Sequence, residues 1–173
     1  MGSRSGGWAA AACLMVAGAA VTIAPEPASA QAAVGQEERN RALVASGFEA
    51  WASGTGSPYD LLAEDASWTI TGNSLAAKTY PTKESFMAGV IRPFNARMRD
   101  RLIPKVRRLY AEGDTVIALF DAKGTARDGQ TYANTYAWVL RLNEEKIVEA
   151  HAFFDSIAFD ELWKRVPERA VAK

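Results

Sequence analysis

Residues 130–155 read Gln130-Thr131-Tyr132-Ala133-Asn134-Thr135-Tyr136-Ala137-Trp138-Val139-Leu140-Arg141-Leu142-Asn143-Glu144-Glu145-Lys146-Ile147-Val148-Glu149-Ala150-His151-Ala152-Phe153-Phe154-Asp155. The first half alternates. Tyr132, Asn134, Tyr136, Trp138 and Leu140 fall on one side, and Ala133, Thr135, Ala137, Val139 and Arg141 on the other. A period of two over this length predicts a long strand from Gln130 to Leu142. Asn143 to Lys146 is a turn, and Ile147 to Phe154 is the next strand. Upstream, Arg127-Asp128-Gly129-Gln130 carries the Asp-Gly pair that accepts the positive φ of a tight hairpin. Before it, Thr115–Thr125 and Lys105–Ala111 read as two more strands, separated by Glu112-Gly113-Asp114. The four strands form an antiparallel meander.

Helical patterns flank the meander. Leu43, Val44, Gly47, Phe48 and Trp51 make one face of a helix over Gln36–Ala52, which Ser53-Gly54-Thr55-Gly56 stops. Ser57-Pro58 starts a short helix, Tyr59 to Ala63, by a capping serine and a proline at the first position. Trp68 to Thr71 is β-prone. Thr82 caps a helix with Phe86, Val90, Ile91 and Phe94 on its apolar stripe, reaching about Arg101, and Pro93 predicts a kink or break within it. Asp155 caps a final helix with Ile157, Phe159, Leu162, Trp163 and Val166 inward, closed by Pro167. The fold class is α+β: a curved, mainly antiparallel sheet of four to six strands on N-terminal helices, with a short C-terminal helix.

The chain has 173 residues, 20 Lys+Arg against 20 Asp+Glu, one His and one Cys. Such a length suits one domain. Zero net charge argues against a nucleic-acid binder that works by bulk charge. One Cys and one His exclude a disulfide framework and Cys- or His-rich metal cages. With no Gly-rich phosphate loop or nucleophile elbow, we expect no metal and no cofactor. Arg92, Arg97, Arg99, Arg101, Lys105, Arg107 and Arg108 against Asp100 make a local basic run, either a solvated face or a greeting for an anion.

The first thirty residues read as a signal peptide. Arg4 is their only charge before Glu26, Ala9–Ile23 is apolar, and Ala28-Ser29-Ala30 is an A-x-A cleavage site. The alternative is a retained anchor, which the Ala and Gly content disfavours. A lipid on Cys13 is also disfavoured, because Cys13 sits too early for it. Cleavage implies a periplasmic or secreted protein without stable membrane insertion. It would leave a flexible lead-in at 31–37, a domain at 38–166 and a tail at 167–173.

Three segments carry a family resemblance. Leu61-Leu62-Ala63-Glu64-Asp65-Ala66-Ser67-Trp68 resembles the "LLADDVxW" segment of the SnoaL-like branch of the nuclear transport factor 2-like superfamily. Tyr132-x-Asn134-x-Tyr136 resembles its "YxNxY" strand. Glu145-Lys146-Ile147-Val148-Glu149 with Phe153-Phe154-Asp155 resembles its "GKIxE…YFD" ending. The resemblance spans about Glu38 to Trp163. It implies a cone-shaped roll with a cavity inside the curved sheet, and a homodimer through the sheet's outer face. It also tests activities. The ketosteroid isomerase base position falls on Ile70, its oxyanion-hole tyrosine near Gly47 or Phe48, and its neutral carboxylic acid on Trp138. None of these side chains can fill those roles. The Asp-Arg-Asp set of limonene epoxide hydrolases has no counterpart on these strands. The branch's "EHWD" strand corresponds to Glu149-Ala150-His151-Ala152, with His151 displaced by one residue and so to the other face.

His151 and Asp155 are therefore the candidate catalytic residues. Strand alternation puts His151 outside, beside Glu149 or Arg141, unless a bulge reverses it. The competing role of Asp155, and the one its place before the final helix favours, is that helix's N-cap. Tyr132, Asn134, Tyr136 and Trp138 would line a pocket for a small hydrophobic or aromatic ligand, with Trp68, Tyr80, Phe154 and Trp51 closing it. Asn134 among aromatics demands hydrogen-bond partners. Core packing is the competing role for each aromatic. Two functions remain open: small-molecule binding, with or without acid/base chemistry, and a non-catalytic dimerisation or protein-interaction module.

Overall fold

The computed structural model describes Gly2 and residues 28–168. The signal segment lies outside them apart from its end, where Ala28–Ala30 open helix α1, Ala28–Ser53. Cys13 and most of the tail lie outside as well. A 3₁₀ turn, Pro58–Leu61, leads into β1, Leu62–Ile70. β2 (Thr79–Tyr80) precedes a helical stretch made of α2 (Lys83–Phe86), a π turn (Met87–Ile91) and α3 (Arg92–Arg97). Then come β3 (Ile103–Glu112), β4 (Thr115–Thr125), β5 (Thr131–Asn143), β6 (Lys146–Phe154) and α4 (Ser156–Arg165).

The six strands form one open sheet in the order β2-β1-β6-β5-β4-β3. The predicted meander is present, each strand antiparallel to the next. β1 joins it by pairing parallel to β6, which makes the sheet mixed. The α+β class holds. β1 begins at Leu62 rather than near Trp68, so Glu64 and Asp65 stand exposed on a strand. The register shift between Leu62 and Ser67 absorbs this polar insertion.

Residues 31–37 differ from the expected flexible lead-in, because α1 runs through them. Their Ala, Gln and Glu content is helix-favouring. Glu37 accepts the Gly113 N–H at 2.9 Å, and Asn40 Nδ2 donates to the Gly113 carbonyl at 3.2 Å. These bonds fasten the helix start to the β3–β4 turn. Arg101 closes the other end by donating to the Trp51 and Ala52 carbonyls, each at 2.9 Å. Gly54 allows it. Its φ is +82°, and a Cβ there would lie 2.3 Å from the Arg101 guanidinium.

Thr82 caps α2 as expected, its hydroxyl accepting from Ser85 N–H at 3.1 Å. Near Pro93 the helix widens instead of breaking. The Arg92 N–H reaches back five residues to the Met87 carbonyl. Proline lacks an N–H, and a π turn takes up the mismatch one turn ahead of it. The helix stops at Arg97, short of Arg101.

The core lies between the concave sheet face and the helices. Val44 and Phe48 of α1, Phe120 of β4 and Leu140 of β5 are fully or almost fully buried. Phe120 stacks on Tyr136 at 4.8 Å and meets Phe48 and Trp138 edge-on at 4.8 and 4.7 Å. Such pairs add about 0.5–1.5 kcal/mol each beyond area burial. No described helix is long and apolar enough to cross a membrane.

Candidate functional site

β5 sends its even-numbered side chains inward. Tyr136 and Trp138 reach the floor of a cavity of about 680 Å³, in the range of small-molecule sites. Ile70 of β1, Ala152 and Phe154 of β6 and Trp68 complete the sheet side. The helical stretch from α2 to α3 supplies the opposite wall through Phe86, Met87, Val90, Ile91 and Phe94. Trp51 of α1, Tyr59 of the 3₁₀ turn and Phe159 of α4 close the sides. The mouth lies between Gly54–Ser57 and Asn95–Leu102, where Arg99, Asp100 and Arg101 sit.

The aromatic rings hold one another in place. Trp51 stacks on Trp138 at 6.0 Å, Trp68 stacks on Phe86 at 4.3 Å, and Tyr59 meets both Trp68 and Phe86 edge-on. The wall is therefore held by its own ring contacts.

Among the lining residues, Asp100 is the sole carboxylate. Hydrogen bonds from Thr125 and Arg99 hold it below the usual carboxylate range, and it sits exposed at the mouth. The titratable groups of the interior are phenols. Burial pushes Tyr59 and Tyr136 up, so both keep their protons at neutral pH. Tyr59 Oη makes no hydrogen bond among the described residues, whereas Tyr136 Oη lies 2.9 Å from Tyr132 Oη.

Of the residues singled out from sequence, Trp68, Tyr136, Trp138 and Phe154 line the cavity together, with Trp51 beside them. Tyr80 does not. Its hydroxyl donates to the Ala76 carbonyl at 2.9 Å, and its ring packs against Gly89. Tyr132 stands behind Tyr136 and packs edge-on against Phe94. Asn134 also stands outside the cavity wall. Its Oδ1 accepts the Thr135 and Asp155 N–H groups at 2.8 and 2.9 Å, and its Nδ2 donates to Asp155 O and Tyr132 Oη at 2.9 and 3.0 Å. With its hydrogen-bonding capacity filled, it has nothing left for a ligand. It ties β5 to the entrance of α4.

The two candidate proton carriers also lie elsewhere. His151 is on the outer sheet face, its Nε2 3.1 Å from Glu149 Oε1, while Arg141 Nε donates to Glu149 Oε2 at 2.9 Å. A bulge does exist in β6, but at Val148. Arg141 pairs with Glu149 while Leu142 pairs with Ile147, so the register beyond Val148 leaves His151 outside. Asp155 caps α4, accepting from Ile157 and Ala158 N–H at 2.9 and 3.3 Å, and is exposed.

Tyr59 and the helical wall were read from sequence only as helix or core residues. An unpartnered phenol is invisible in sequence, because the signal is the absence of a neighbour. No three His, Cys, Asp or Glu residues cluster to hold a metal among the described residues. The basic run disperses: Arg92 pairs with Glu84, Arg107 with Asp121, Arg99 with Asp100, and Arg97 is buried over Trp163.

The family model of the SnoaL-like domain matches residues 37–150. The chain belongs to the SnoaL-like family. Solved structures agree on the SnoaL-like, nuclear transport factor 2-like fold. Bal32a, from a soil-derived mobile gene cassette, is 22% identical with a TM-score of 0.61, over 74% of this chain and 98% of that one. An NTF2-like protein from Burkholderia thailandensis E264 is 25% identical with a TM-score of 0.59, over 71% and 95%. TerC, co-crystallised with polyporic acid, is 15% identical with a TM-score of 0.58, over 71% and 96%. No curated protein matches the sequence.

Proposed function

We propose that this SnoaL-like protein binds a flat, mostly apolar small molecule in the aromatic cavity, without a carboxylate or imidazole base inside it. The observation that carries this reading is the cavity wall itself. Three tryptophans, Trp51, Trp68 and Trp138, border about 680 Å³ of space, and the interior titratable groups are phenols that keep their protons. Apolar walls with few polar groups suit a ligand that buries ring surface and is oriented by one or two hydrogen bonds. The positions that resemble the ketosteroid isomerase set, Ile70 and Trp138, face the cavity as apolar groups. TerC, of the same fold, was co-crystallised with polyporic acid. That is compatible with a ring-shaped ligand here.

The apolar run and the A-x-A site at residues 28–30 support export to the periplasm or outside the cell. The outer sheet face favours a homodimer. Tyr110, Ile117, Val139 and His151 stand in one cross-strand row, and Leu119, Ala137 and Phe153 in the next. Tyr110, Ile117 and Phe153 are exposed.

The binding test is a thermal-shift screen of two-, three- and four-ring planar compounds. We expect several to raise Tm, and Ala152→Leu, which fills the cavity floor, to abolish the shifts. A protein that gains no stability from any of them refutes the reading. Light scattering of wild type against Ile117→Glu checks the dimer, which the charge should split.

A further inference from the structure

The amide of Asn134 sets the direction of a hydrogen-bond chain that ends in the cavity. Two backbone N–H groups, of Thr135 and Asp155, point at one atom of that amide, which must therefore be the oxygen. The other atom is the nitrogen. It donates to Asp155 O and to Tyr132 Oη. Tyr132 is 2% exposed, and its hydroxyl has one further partner, Tyr136 Oη at 2.9 Å. If Tyr136 donated to Tyr132, the Tyr132 proton would be buried without an acceptor, a cost of about 1–3 kcal/mol. The Tyr132 hydroxyl therefore donates to Tyr136. Tyr136 Oη accepts that bond, and its own proton is left for the cavity that Tyr136 borders. Successive bonds in one direction polarise one another and sharpen the last donor.

We propose that Tyr136 presents a fixed hydroxyl donor to the cavity, and that the ligand is a planar, mostly apolar molecule carrying an acceptor oxygen, a carbonyl in the simplest case. This rests on the binding function proposed above. Asn134 and Tyr132 act as positioning residues behind Tyr136. Tyr59 supplies a second phenol to the same cavity, but no protein group fixes the direction of its proton.

The test compares 9-fluorenone with fluorene, two rigid tricyclic compounds that differ by one carbonyl oxygen, by equilibrium dialysis against the folded protein. A site that offers a buried donor discriminates against the analogue lacking the acceptor. We expect fluorenone to bind at least tenfold more tightly. Tyr136→Phe should erase that preference. Tyr132→Phe keeps the Tyr136 hydroxyl but cuts the chain, and should reduce the preference several-fold. A purely packing role for Tyr132 would leave it unchanged. Tyr59→Phe should retain the preference. Equal binding of both compounds to wild type, or loss of the preference in Tyr59→Phe but not in Tyr136→Phe, overturns the assignment while the binding function stands. Failure of both compounds to bind overturns the binding function itself. Melting curves of each variant confirm that the comparison is made on folded protein.

Discussion

Glu144 and Glu145 turn the β5–β6 hairpin with φ of 46° and 63°. Both angles lie where a Cβ crowds the following carbonyl, at a cost of about 1 kcal/mol or more per residue. The turn also sets two like charges side by side. The family ending that the segment resembles has glycine at the position of Glu145. Glu145→Gly should therefore stabilise the protein by about 1 kcal/mol, read as a higher urea midpoint with an unchanged slope. At this scale the sequence was informative about demands and silent about partners. Asn134 among aromatics announced that it needed hydrogen bonds. That its partners would be Asp155's backbone and Tyr132, leaving none for a ligand, depends on where α4 enters. The direction of His151 followed from strand alternation, since the bulge at Val148 lies before it.

The strands of the meander were legible because each is long and alternates. Thr115–Thr125 was read with the boundaries it has, and the other three strands moved by one or two residues, two of them at both ends. β1 was half missed. Its first half, Ala63-Glu64-Asp65-Ala66, lacks strand-favouring residues and bulges out of register between Leu62 and Ser67, which pair with Ile147 and Glu149 of β6 from the far end of the chain. The helical stretch Lys83–Arg97 was read as a core element, yet its apolar stripe borders empty space. Its middle carries i→i+5 bonding ahead of Pro93, and its outer turns are short. Such a wall opens more easily than β4 or β5, each paired on both sides. Hydrogen exchange should find residues 86–94 less protected than β4 and β5 in the free protein. Their protection should rise more than that of the sheet when a ligand fills the cavity. Equal protection in both elements would contradict this.

Two sets of shifted acids among the described residues act with opposite signs. Hydrogen bonds and ion pairs lower the carboxyls of Glu84, Asp100, Asp121, Asp128 and Glu149 from ordinary values of 3.8 or 4.5. A lowered acid stabilises the fold above its unfolded value, and that contribution disappears as pH falls through the lowered value. Burial raises Tyr59, Tyr80, Tyr132 and Tyr136 from 10.0. A raised acid stabilises the fold below its unfolded value, and this is lost as pH rises past it. Tm should thus be level between about pH 5 and 9, fall on the acid side below about 4.5, and fall on the alkaline side above about 10. The acid limb should flatten at high salt, since its pairs are exposed and easily screened, which shrinks the lowering of these carboxyls. Affinity for an uncharged ligand should be level across the same plateau. A step near neutral pH would assign the binding to a group outside the phenol set.

The parallel pairing of β1 with β6 also sets the order in which this molecule becomes competent. Trp68 and Ile70, a third of the cavity's sheet side, belong to a strand whose partner is made some eighty residues later, with Trp68 opposite Ala150 and Ile70 opposite Ala152. A chain leaving the ribosome can form β3, β4 and β5 among themselves while β1 waits with one short neighbour, β2. Such distant pairings are slow to close. The aromatic chamber is therefore among the last things synthesis delivers, and a chain stopped before Lys146 would hold most of its strands with that chamber still unassembled.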